Sequence, residues 1–183
     1  MEVSFYDALG KKIKTVKRKD FKDASVGDGF SVFTDNRMLF YDYTAINYPF
    51  TAVYESEVET SNTAFIPSWS PVYAYYVGSE NTLITISFPK ELGFKDKVAN
   101  FSDRYPIIRS NNENSITYRA ENVKAIKWEE NCPGFLDVVP IVYFKVEKFN
   151  LEGVNGVAEN WKDFGKWFYE SLLVNTDELP LET

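Results

Sequence analysis

The chain has 183 residues, a formal net charge of −7, one cysteine (Cys132) and no histidine. Those counts exclude Ser-His and Cys-His nucleophile pairs, imidazole general bases, imidazole zinc sites, an internal disulfide and a thiolate metal cluster. The acidic balance also argues against a nucleic-acid-binding face, which needs a basic patch to displace counterions.

A chain of this length builds one domain, or a domain plus an appendage, and buries enough surface to need no staple. Hydrophobic residues make up 44% and charged residues 26%, the balance of a globular chain. Phe and Tyr dominate an aromatic share of 17% and favour a pleated surface. No apolar run reaches the roughly 20 residues of a bilayer-spanning helix. The start, MEVSFYDALGKKIK, lacks the basic and apolar regions of a secretion signal. That leaves a cytoplasmic protein, or one whose leader precedes this segment.

Taken in chain order, Val3–Tyr6 and Lys12–Val16 flank Asp7-Ala8-Leu9-Gly10 and predict a hairpin. Strands are predicted over 30–33 and 38–43, separated by Thr34-Asp35-Asn36. Segment 51–60 alternates, with Ala52, Tyr54, Ser56 and Val58 opposed to Val53, Glu55, Glu57 and Glu59. It predicts a strand with one face on a core and one in water. Segment 82–88 opposes Ile84, Ile86 and Phe88 to Thr85 and Ser87, and segment 115–121 opposes Ile116, Tyr118 and Ala120 to Thr117, Arg119 and Glu121. Val138–Val146 is nearly all apolar and reads as a more central strand, with Pro140 near its start.

Segment 150–156 reads as a flexible joint. Beyond it the period becomes helical. Asn160 is the expected N-cap, and Trp161, Phe164, Phe168 and Leu172 form a stripe flanked by Trp167, which predicts a helix over 160–174. The pattern as a whole predicts a mainly β fold, an antiparallel β-sandwich of immunoglobulin-like or larger size with about nine or ten strands and a C-terminal helix. The sandwich is expected over 1–149, with the joint and helix over 150–183.

Several clusters bear on chemistry. Glu55, Glu57 and Glu59 share one strand face, which reads as a solvated surface. Asp20, Asp23, Asp28 and Asp35 crowd one loop-rich stretch, but their spacing fits no calcium loop. Cys132 sits in a turn without a base to activate it and reads as an idle thiol. Arg37, Arg104, Arg109 and Arg119 are scattered. Trp69, Tyr73, Tyr75 and Tyr76 form an aromatic run whose rings can stack on sugars or anchor a partner, unless they pack in a core. Trp161, Phe164, Trp167 and Phe168 on the terminal helix form a second candidate partner surface. No metal, cofactor or catalytic residue is expected.

Two stretches carry a resemblance. The first is YDALGKKIKTVKRKDFKD (6–23), Thr34–Arg37 leading into Met38–Tyr43, and YPFTAVYESEVETSN (48–62) followed by Ile66–Pro71. The second is Lys127–Pro133, Val139–Phe144 and the stretch Asn160–Tyr169. Together they resemble the domain of unknown function 3857, a module that precedes a transglutaminase-like (papain-like cysteine protease) core in bacterial proteins. The resemblance implies a non-catalytic accessory or interaction module in the periplasm or on the cell surface. Its partner would be a transglutaminase-like domain of the same polypeptide, and the catalytic Cys, His and Asp would lie after Val174. From the residues alone, a carbohydrate- or peptide-binding module remains the alternative.

Overall fold

The Asp7 carboxylate accepts hydrogen bonds from the backbone N–H groups of Leu9 and Lys11, both at 2.9 Å, and Gly10 takes a φ of 78°. This turn closes the predicted hairpin in the computed structural model, which describes residues 1–27 and 37–174. The chain divides into two units, Met1–Glu59 and Thr60–Thr183.

The first unit contains β1 (Glu2–Tyr6), β2 (Lys12–Lys17), β3 (Lys22–Ser25), β4 (Arg37–Phe40) and β5 (Thr51–Glu55). An antiparallel sheet runs in the order β2-β1-β5, and β3 pairs with β4. Phe5 and Val16 are buried on one face of the larger sheet. Tyr43 stacks on Phe5 with ring centroids 3.8 Å apart, and Tyr41 and Phe50 close around it. Aromatics 41–50 thus cover Phe5, so Tyr41 and Tyr43 act as lid rings beyond the end of β4. The strand predicted over 30–33 lies outside the described residues.

β5 departs from the expected pattern. Its register sets Ala52 beside Phe5 and Tyr54 beside Val3, yet all five residues are exposed and the strand ends at Glu55. Alternation sorts side chains onto two faces, but burial also needs a second layer, and β5 is the edge of its sheet.

The second unit contains β6 (Ile66–Trp69), β7 (Ser79–Ser87), β8 (Lys95–Ala99), β9 (Ile107–Asn112), β10 (Ser115–Val123), α1 (Phe135–Val138), β11 (Ile141–Lys145), β12 (Lys148–Leu151), β13 (Val154–Val157) and α2 (Trp161–Phe168). Two antiparallel sheets run β7-β10-β9 and β6-β11-β8. The predicted faces hold: Ile116, Tyr118 and Ala120 of β10 are buried, and Ile84 and Ile86 of β7 pack against them half-buried. β11 is central, as its apolar composition predicts, with Ile141, Val142 and Phe144 buried. Trp69, Val142 and Phe144 from one sheet share a core with Ile116, Tyr118 and Ala120 from the other.

The chain is mainly β, in antiparallel sheets with a C-terminal helix, and the described residues hold thirteen strands rather than nine or ten. The surplus is in short strands such as β3, β6, β12 and β13, too brief to show a period.

Segment 150–156 is not a joint. It forms most of the β12–β13 hairpin, whose two turn residues, Glu152 and Gly153, have φ of 50° and 82°. Those angles suit a tight two-residue hairpin turn, so the glycine marks pairing. Gly156 lies opposite Phe149 for a different reason. A Cβ there would stand 2.5 Å from the Phe149 ring and 2.7 Å from the Trp167 ring. α2 begins where predicted, with the Asn160 side chain accepting from the N–H groups of Lys162 and Asp163, and it continues as a π-helical turn over Tyr169–Leu173.

Gly156→Ala is therefore expected to cost about 1–3 kcal/mol by overpacking. Denaturant unfolding measures it, and an unchanged midpoint would mean that the contact is slack.

Candidate functional site

The terminal helix lays an aromatic layer on the β12–β13 hairpin. Trp167 meets Phe149 edge-on at 4.8 Å and donates its indole N–H to the Asn155 carbonyl at 3.0 Å. Phe164 lies 5.7 Å from Phe149. On its outer side Phe164 contacts Trp161 (5.8 Å), Phe168 (6.0 Å) and Phe65 (6.1 Å). Trp161 is 83% exposed and Phe65 65%, whereas Phe164, Trp167 and Phe168 are half-buried. The predicted stripe therefore splits. Trp167 and Phe164 both pack inward on the core around Phe149, while Trp161 stands outward with Phe168 half-buried beside them. Phe65 joins them from nearly a hundred residues away, without a local signal that could have revealed it.

The run around Trp69 also divides. Trp69 is buried in the core, with Pro71 and Val72, and offers no face to a ligand. Tyr73 is 86% exposed. Tyr75 is half-buried, edge-on to Phe135 at 4.9 Å, with its hydroxyl 3.6 Å from the Cys132 sulfur. That hydrogen bond, with a smaller contribution from desolvation, raises the Tyr75 pKa. Tyr76 adopts a φ of 63°, held by its N–H donating to the Ile126 carbonyl, and its exposed ring reaches the Trp128 backbone. Loops 71–78 and 126–135 thus bring Tyr76 and Trp128 together, a pairing invisible in sequence because they lie 52 positions apart.

Of the acidic candidates, Glu55, Glu57 and Glu59 are exposed. Asp20 accepts from the Lys17 N–H and Asp23 pairs with Arg37, while Asp28 and Asp35 lie outside the described residues. Among the described residues no three His, Cys, Asp or Glu side chains are placed to hold a metal ion.

Arg109 is not idle. It donates to Asp96 through Nε at 3.2 Å and Nη2 at 3.1 Å, and to the Tyr118 hydroxyl at 3.0 Å. The Tyr118 hydroxyl also donates to Asp96. The three residues come from β9, β8 and β10, so the network links the two sheets of this unit. Burial pushes the Asp96 carboxyl up, but the hydrogen bonds from Arg109 and Tyr118 and the guanidinium charge outweigh it and hold the pKa below the ordinary value. Burial, reinforced by the bond to Asp96, raises the Tyr118 phenol.

Residues 1–127 match the model of a family described as a domain of unknown function with a solved structure, number 3857. The chain belongs to the domain of unknown function 3857 family. The span matching domain of unknown function 3857 ends after β10, so β11, the strand that joins β6 to β8, lies beyond it. So do most of the second resembling stretch and α2. No curated protein matches the chain, and no solved structure does.

In this member of domain of unknown function 3857, a depressed carboxyl pKa contributes stability above its unfolded value and loses it as pH falls toward the folded value. Stability is expected to decline below about pH 4, with Glu147, held low mainly by its hydrogen bond from Lys95, acting in the same direction. Asp96→Asn should flatten Asp96's share of that decline, read from denaturation midpoints at neutral and acidic pH. An identical pH profile in the variant would dismiss the network as a source of acid sensitivity.

Proposed function

We propose that this chain is a non-catalytic accessory module of a transglutaminase-like, cysteine-protease-like bacterial protein in the periplasm or on the cell surface. In this reading it positions or guards the catalytic core that follows the module in similar proteins. The sheets β7-β10-β9 and β6-β11-β8 are the two layers of a β-sandwich, supported by their shared core and by the Asp96–Arg109–Tyr118 network.

The observation that carries the docking role is the outward aromatic face of α2. A tryptophan 83% exposed beside Phe65, Phe164 and Phe168 forms an apolar surface of the kind that marks a partner site. Burying one such ring is worth about 4 kcal/mol before the costs of association. The helix also lies in the stretch that, by resemblance, opens the transglutaminase-like region.

A carbohydrate- or peptide-binding role is the second reading, favoured by exposed Tyr73 and Tyr76 beside Trp128 and by the uncommon backbone angle at Tyr76. Glycan and peptide titrations with no binding would dispose of it.

The test of the first reading begins with the open reading frame around this chain. Export-signal residues before Met1 and a Cys, His and Asp set after Thr183 are expected, and a stop codon directly after Thr183 would remove the core that the role requires. Given that core, iodide should quench Trp161 emission in this chain and much less in the longer polypeptide, with Trp161→Phe identifying the signal. Equal quenching in both would contradict docking.

A further inference from the structure

The N-terminal unit carries a different surface at one end of the β2-β1-β5 sheet. Tyr6 pairs with Lys12 on one side and Thr51 on the other, so the Asp7–Lys11 turn and the segment entering β5 share that end. Leu9 in the turn is 94% exposed; Ile46 and Tyr48 in the entering segment are 93% and 79% exposed. The Tyr48 ring lies 5.5 Å from Phe50, which in turn packs against Phe5. Turns are ordinarily polar, and here a leucine, an isoleucine and a tyrosine stand in water in the two segments that meet at one sheet end.

The charge around them is opposite to that of the chain. Lys11 and Lys12 flank the turn and are exposed, Lys14 two residues on is bonded to Tyr41, and residues 43–54 carry no charged side chain. Asp7 in the turn accepts from two backbone N–H groups and keeps its negative charge, and Lys11 and Lys12 outnumber it. A cationic tip on a chain of net charge −7 complements an anionic surface. A soluble polyanion would use the lysines and leave Leu9 and Ile46 in water, whereas a bilayer accepts both chemistries at once.

We infer that this sheet end is a peripheral docking site for an anionic lipid bilayer. Leu9, Ile46 and Tyr48 enter the headgroup–acyl boundary, and Lys11 and Lys12 meet the lipid phosphates.

The test is flotation of the whole chain with phosphatidylcholine vesicles containing about one-third phosphatidylglycerol, and with phosphatidylcholine alone, at low salt. The chain should float with the anionic vesicles and not with the neutral ones. Leu9→Ser with Ile46→Ser, and separately Lys11→Glu with Lys12→Glu, should each lower the bound fraction about tenfold, while circular dichroism reports an unchanged fold. Failure of the unaltered chain to bind anionic vesicles overturns the inference. So does undiminished binding by the Leu9/Ile46 variant, which would assign the tip to polyanions in general.

Discussion

The Tyr118 ring is fully buried, and its hydroxyl has to find partners inside the fold, because a buried hydroxyl without a hydrogen bond costs about 1–3 kcal/mol. Asp96 and Arg109 supply those partners, and each reaches Tyr118 from a different strand. The same ring lies 6.0 Å from Trp69 and 6.2 Å from Phe144. One side chain thus holds the apolar core at its ring and a charged network at its tip. Geometry and electrostatics are coupled there: the contacts that keep Asp96 ionised exist only while β8, β9 and β10 are in place.

Much of the second unit could be read from local pattern. The buried face of β10, the central place of β11 and the Asn160 cap each rest on signals within about ten residues. Asp96 and Arg109 form a pair that no local period encodes, and Arg109 read as one of four scattered arginines. β5 shows the opposite failure: clean alternation without burial, since an edge strand lacks the second layer that its pattern implies. The glycines of 150–156 misled for a third reason. Their roles, a positive φ at Gly153 and clearance at Gly156, belong to a hairpin and to a ring packed across it.

The candidate surfaces were legible only in part. The stripe on α2 was visible in its spacing, yet which rings face inward depends on Phe149, against which Phe164 and Trp167 pack, and on the Asn155 carbonyl that receives the Trp167 indole. The run from Trp69 to Tyr76 reads as continuous but is divided, with Trp69 in the core and Tyr76 turned toward Trp128 by its backbone. What emerges is a scaffold whose notable surfaces are suited to contact. Apolar rings stand at the C-terminal helix, and an apolar tip with lysines stands at one end of the first sheet. Both are chemistry for holding something in place, which is what the proposed accessory role would need.

The central claim is that the α2 face is covered by a following transglutaminase-like core. Amide hydrogen exchange over residues 161–173, compared between this chain and a polypeptide that continues into such a core, tests it most directly. The account predicts that exchange slows across that helix in the longer polypeptide while β10 is unchanged. Equal exchange in the two would contradict it.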